Sequence, residues 1–203
     1  MSESGAHGAA QGDVHLETSG GTFAGVWGST RDSSLDPGGS NTFEIYLGHR
    51  FDLSSAWSAT LGARSHYFGG GVDEPSADFQ EIAATLAYQD RLAFSVTAIP
   101  NAVRYWFYHR LSRSPAWVAD ATTQWLIAPG LYVTGGVGYY YSTGTGPGIE
   151  AAAGYAYGNA GLAYEWRRWR LDVGYFLTQA DAEKLFPYPI ADHRVAATLS
   201  WRF

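Results

Sequence analysis

The chain has 203 residues, a net charge of −6 and no cysteine; only 16% of its residues are charged, while aromatics also reach 16%, with 8 Trp and 14 Tyr. The acidic balance excludes a nucleic-acid partner, because no basic stripe exists to release counterions from a phosphate backbone. No run approaches the roughly 18 apolar residues of a membrane helix, which leaves membrane-spanning strands open.

Average soluble domains carry roughly a quarter charged residues. Here polarity comes instead from Gly, Ser, Thr, Tyr and Asn. That balance suits a membrane barrel, with apolar residues outside, small and polar groups inside and aromatic girdles at both interfaces. Taken alone, it suits a Gly-rich soluble β-sandwich equally well. Absence of cysteine fits an export route, and fits many cytosolic chains too. Residues 1–12 show neither the basic start nor the apolar core of a secretory signal.

Period-2 alternation dominates from residue 10 onward. Val14, Leu16 and Thr18 alternate with Asp13, His15 and Glu17, and Ser19-Gly20-Gly21 predicts a tight turn. Thr22 to Ser29 follows as a strand whose outer face stays open, since Phe23 and Trp27 compete with Ala24 and Val26. A polar loop spans Thr30 to Asn41. Phe43, Ile45, Leu47, His49 and Phe51 then oppose Thr42, Glu44, Tyr46, Gly48, Arg50 and Asp52. After a short turn at Leu53 to Ala56, Trp57, Ala59, Leu61, Ala63 and Tyr67 oppose Ser58, Thr60, Gly62, Arg64 and His66.

A longer loop, Gly69 to Ala77, precedes Ile82, Ala84, Leu86 and Tyr88, and a tight turn at Gln89 to Arg91 leads into Leu92, Phe94, Val96 and Ala98. In Ile99 to Pro115 the alternation breaks down around Tyr105-Trp106-Phe107-Tyr108. The segment reads as a structured extracellular loop, with a short helix or an extra hairpin as alternatives. Trp117, Ala119, Ala121, Trp125 and Ile127 descend to Ala128-Pro129-Gly130, and Leu131, Val133, Val137, Tyr139 and Tyr141 return. Beyond the Gly-rich loop Ser142 to Gly148, a strand ends in Ala160, Leu162, Tyr164 and Trp166. Arg167-Arg168 turns into Trp169, Leu171, Val173, Tyr175 and Leu177, and the loop Gln179 to Ile190 leads to the last strand. There Val195, Ala197, Leu199, Trp201 and Phe203 share one face.

Connections alternate between short (near residues 20, 54, 90, 129 and 167) and long (near 35, 73, 107, 145 and 185). Outer-membrane barrels have this asymmetry of periplasmic turns and surface loops. Aromatics also gather at strand ends beside the short turns (Trp57, Tyr88, Trp125, Trp166, Trp169, Trp201), where an interfacial belt would lie. These regularities predict an all-β, antiparallel up-and-down transmembrane β-barrel of about eleven strands, forming one domain over residues 1–203. The terminal aromatics Trp201 and Phe203 match the ending read by the barrel assembly machinery. Bacterial single-chain barrels have even strand numbers, so a twelfth strand is expected.

The sequence resembles the TorF family of proteobacterial porin-like outer-membrane proteins. The resemblance lies in Ser2-Glu3-Ser4, Gly8-Ala9-Ala10-Gln11-Gly12, Ser19 to Ser29 around Phe23-Ala24-Gly25-Val26-Trp27, Glu44 to Gly48, Arg64 to Gly69, and Asp78 to Tyr88. In that family an export signal and a first strand precede the segment matching Ser2-Glu3-Ser4. The resemblance therefore implies that Met1 is an internal start, that residues 1–9 are the remnant of a first surface loop, and that the full-length barrel has twelve strands.

Inward rows place Glu44, Arg50, Arg64, His66, Glu81, Asp120, Arg170, Asp172, Arg194 and Arg202 in the lumen as candidate pore-lining residues. They either line a conduction path whose opposed charges select solutes, or pair across a narrow lumen and satisfy each other. Enzymatic readings find little support: there is no Gly-x-Ser-x-Gly elbow and no His-Glu-x-x-His pair. The six histidines (His7, His15, His49, His66, His109, His193) lack ligand spacing. A triad of His66, a nearby Ser and Glu81 is the residual catalytic possibility. Gly144-Thr145-Gly146-Pro147-Gly148 lacks the Lys-Ser/Thr of a phosphate loop. Asp32, Asp36, Asp73, Glu74 and Asp78 are read as solvated loop charge, with calcium or lipopolysaccharide-bridging cations as the alternative.

The expected function is passive passage of small hydrophilic solutes across the bacterial outer membrane, without enzyme activity, cofactor or metal. Outer-membrane lipid and lipopolysaccharide are the expected surroundings, and a monomer the default state. Two alternatives stand beside it: a non-conducting structural or adhesion barrel acting through its surface loops, and an outer-membrane lipid-modifying enzyme.

Overall fold

The computed structural model describes residues 9–30, 41–68, 78–89, 91–106, 110–144, 152–185 and 193–202. Eleven strands follow one another along the chain: β1 (Gln11–Glu17), β2 (Thr22–Thr30), β3 (Asn41–Asp52), β4 (Trp57–Phe68), β5 (Phe79–Tyr88), β6 (Leu92–Trp106), β7 (Arg110–Ala128), β8 (Leu131–Ser142), β9 (Ala153–Trp166), β10 (Trp169–Thr178) and β11 (Arg194–Trp201). Each pairs antiparallel with the next, so sheet order equals chain order, with β1 and β11 at the two edges. Among the described residues nothing pairs with the outer edge of either, and the expected twelfth strand is not among them.

The ladders explain the alternation. Directly opposed residues share a face, and Val14↔Val26↔Ile45 stays apolar across three strands. So does Ala59↔Leu86↔Phe94. This face points outward: Leu47 is 61% exposed, Val137 66% and Leu199 65%. So much apolar surface far exceeds what a soluble monomer presents to water, and it is the surface a bilayer requires. Aromatics bound it at both ends. Beside the short turns, Trp57 packs on Tyr88 at 5.0 Å and Trp169 on Trp201 at 6.4 Å; at the other end Phe43 packs on Tyr67 at 6.3 Å. Ten residues separate Trp57 from Tyr67, about 33 Å of strand, or roughly 25 Å across the membrane at the usual tilt.

The same ladders settle β2. Phe23 opposes Gly48, and Trp27 opposes Glu44, so both aromatics face inward while Ala24 and Val26 face out.

Two expected loops carry regular structure where they are described. Residues 99–106 and 110–115 continue β6 and β7, of 15 and 19 residues, beyond the roughly 9–11 that a tilted strand needs to cross the hydrocarbon. The irregularity is a bulge between Ile99 and Ala102, where Pro100 has no N–H to donate. There the Asn101 amide bonds to Gln80 through both the Gln80 backbone N–H (2.9 Å) and its side chain (2.7 Å), in place of the lost ladder. Phe107 and Tyr108 lie outside the described residues. The second is Gln179 to Ile190: Ala180–Lys184 forms a 3₁₀ helix, and Ala182 and Leu185 are buried.

Candidate functional site

The inward rows face a common lumen, which β1 and β11, unpaired with each other, leave unclosed among the described residues. Its half nearest the short turns is a cavity of about 1140 Å³, lined from β5 round to β11 by residues that include Gln89, Arg91, Gln124, Thr134, Asn159 and Thr198. Three polar clusters project into the lumen from different heights and walls.

The first lies toward the long connections. Register sets Glu44 opposite His66 and Arg64 opposite Glu81, so three adjacent strands bring four sequence-predicted residues together. Arg64 Nη1 lies 3.2 Å from Glu44 Oε2, and its Nε 3.6 Å from Glu81 Oε1. His66 Nδ1 is 2.9 Å from Glu44 Oε1, and Nε2 is 3.3 Å from Glu81 Oε2. Both contacts lie off the aligned hydrogen-bond directions. The imidazole is stacked on Phe79 at 4.1 Å. Arg64 is the most exposed of the four and leans over the Tyr46 ring at 5.7 Å. Next to it the Tyr46 hydroxyl donates to Asp13 at 2.8 Å, with His15 Nδ1 at 3.2 Å.

Mid-lumen, Asp120 accepts a hydrogen bond from Tyr157 and another from Ser95 Oγ at 3.5 Å. Gly138 makes room for this: a Cβ there would overlap both Asp120 Oδ1 and the Tyr157 ring.

The third cluster borders the cavity. Arg170 is clamped by Glu165 (Nη1, 2.9 Å) and by both oxygens of Asp172 (Nη2 to Oδ1, 2.8 Å; Nε to Oδ2, 2.9 Å). Tyr132 donates to Glu165 at 3.4 Å. Multiple bonds of this kind hold a planar guanidinium in one orientation.

Arg50, Arg194 and Arg202 join none of these groups. Arg50 pairs with Asp52 at 3.2 Å near the short turns. Arg194 opposes Phe176 at the far end of β11, and Arg202 lines the cavity. Trp201 stands on the outer face, and Phe203 lies outside the described residues. Asp13, Tyr46, Glu165, Tyr132 and Tyr157 were missed as lumen residues. Asp13, Tyr46 and Glu165 sit on the inward alternation, and only their partners, set by register, single them out; Tyr132 and Tyr157 carry no charge to mark them in the sequence.

The catalytic and metal alternatives gain no geometry. Among the described residues no hydroxyl bonds either nitrogen of His66, and no group of His, Cys, Asp and Glu is arranged to hold a metal ion. Asp78 accepts the Phe68 N–H at 2.9 Å. Asp32, Asp36, Asp73, Glu74 and residues 145–148 lie outside the described residues.

No family model and no curated protein matches the sequence, so the likeness to the TorF family remains a resemblance. The fold is similar to the solved structure of the NanC porin, with a TM-score of 0.64 over 96% of this chain and 93% of that one. The chain has a porin fold. At 12% identity the likeness reaches the architecture alone, and the residues that line the lumen of this porin fold are its own.

Proposed function

We propose that the chain is a porin-like channel of the bacterial outer membrane that admits small hydrophilic solutes by passive diffusion. The observation that carries this reading is the contrast between the two faces of one sheet. The outer face is a continuous apolar band between aromatic girdles, and the inner face bounds a cavity of about 1140 Å³ whose lining mixes Arg, Glu, Asp, Gln, Asn and Thr. Polar groups directed away from lipid and toward a common lumen are what a water-filled passage requires. Porin architecture and the TorF resemblance support it. Within this reading the ten sequence-predicted residues line the path, lipid and lipopolysaccharide surround the band, the assembly machinery reads the final strand, and the barrel works as a monomer.

A second reading, a non-conducting barrel acting through its surface loops, draws on one feature. Toward the long connections the lumen holds an apolar cluster of Ile99, Ala102, Ala116, Tyr140, Tyr155, Ala182 and Leu185. Swelling of proteoliposomes in an arabinose solution separates the two. The channel reading expects swelling that scales with protein content; swelling no faster than in protein-free vesicles refutes it.

A further inference from the structure

The apolar cluster inside the lumen lacks an obvious place in a water-filled passage, and its geometry shows how it forms. Ile99, Ala116 and Ser142 oppose one another across β6, β7 and β8, and Val118, Tyr140 and Tyr155 across β7, β8 and β9. Asp120, Gly138 and Tyr157 continue the same inward face, so the cluster residues point into the barrel. What they meet there is the chain after β10. Gln179 stays beside β9, its N–H donating to the Ala156 carbonyl at 2.9 Å and its Oε1 accepting the Ala156 N–H at 3.0 Å. The backbone then tightens into the 3₁₀ turn, with Ala182 N–H donating to Gln179 O and Leu185 N–H to Ala182 O, both at 3.0 Å. Ala182 is 0% exposed and Leu185 2%, packed on this inward apolar face. A surface loop would leave Leu185 in water, so the segment lies within the mouth of the barrel.

On the adjoining wall, β3–β5, the inward row is charged, and Phe79 on β5 joins the two sides. Its ring is stacked on His66 and also packs against the apolar cluster. Glu44, His66 and Glu81 are largely covered, whereas the Arg64 side chain is 44% exposed. We infer that the segment Ala180–Leu185 is the size-limiting element of the pore: it fills the β6–β9 side of the mouth and confines the aqueous route to the side where Arg64 is exposed. This rests on the channel reading and adds the element that sets its bore and the cation that solutes meet there.

The test compares wild type with Ala182→Ser/Leu185→Ser in planar bilayers, reading single-channel conductance in KCl and block by polyethylene glycols of graded size. Unheated gel mobility verifies that each barrel is folded. The variant is expected to conduct about twofold more and to admit larger polymers, since freeing a helix-sized obstruction opens a large part of so small a barrel. A silent wild type with a conducting variant overturns the open route past Arg64, because the segment then plugs the lumen outright. Equal conductance and equal polymer exclusion overturn it and leave the channel reading standing; silence from both overturns the two together.

Thiol chemistry provides a check that does not depend on how the double variant folds, because the chain has no cysteine. Leu185→Cys should react with a water-soluble thiol reagent at least about tenfold more slowly than cavity-lining Thr134→Cys, since its reaction waits for local opening. Equal rates overturn the inference.

Discussion

Replacing Arg170 by methionine retains most of the side-chain volume and deletes the guanidinium. The wild-type group makes four charge-assisted hydrogen bonds, to Glu165 at 2.9 Å and to Asp172 at 2.8, 2.9 and 3.0 Å. A bond to a charged partner is worth about 1.5–3 kcal/mol, while a fully exposed ion pair gives only about 0–1 kcal/mol. Arg170 is 21% exposed and its partners 34% and 38%, beside a cavity, so water screens much of the attraction. A loss of about 2 kcal/mol follows, much of it from stranding two neighbouring carboxylates rather than from the attraction itself. Urea unfolding in lipid vesicles, read by tryptophan fluorescence, should show the midpoint falling accordingly. Arg170→Met/Glu165→Gln/Asp172→Asn removes the stranded charges and should recover more than half of the loss. A single variant as stable as wild type, or a triple variant as weak as the single, would refute this reasoning.

Three further outcomes follow from the same geometry. Ala197→Arg places a charge on the outward face of β11, four residues in from Trp201, and should cost about 2–4 kcal/mol near the bilayer midplane, whereas Ala196→Arg, one residue away and lining the cavity, should cost far less; equal costs would contradict the assigned faces. Gly138→Ala should destabilise by about 1–3 kcal/mol through overlap with Tyr157 and Asp120, with Tyr157→Ala relieving part of it, and an unshifted unfolding midpoint would count against the packing described. In a KCl gradient, Glu44→Gln should move the reversal potential toward anion preference and Arg64→Glu toward cation preference. Unchanged potentials would remove both residues from the conducting path.

The strand walls were legible because lipid imposes a strict period of two, visible in Phe43, Ile45, Leu47 and Phe51 without any knowledge of partners. What stayed illegible depends on register. Phe23 and Trp27 competed with Ala24 and Val26 for the outer face of β2, and alternation left the choice open, yet Phe23 lies over Gly48, where a Cβ would collide with its ring. A bulky inward residue facing a glycine appears only once the two strands are aligned. Ten lumen candidates followed from alternation, but the gathering of Glu44, Arg64, His66 and Glu81 follows from ladder offsets that pattern cannot supply. Pro100 and the consecutive aromatics after it masked the continuation of β6, since a bulge breaks the period locally. The inward turn at Ala180–Leu185 gave the weakest signal. A five-residue 3₁₀ helix has too little length to show a period, and Ala182 is too small to advertise burial.

Single-channel recording of the folded, full chain in planar bilayers addresses the central claim most directly. A polar lumen bounded by a lipid-facing sheet predicts discrete, reproducible conductance steps in KCl. Insertion verified by gel mobility with no steps above the protein-free baseline would contradict it.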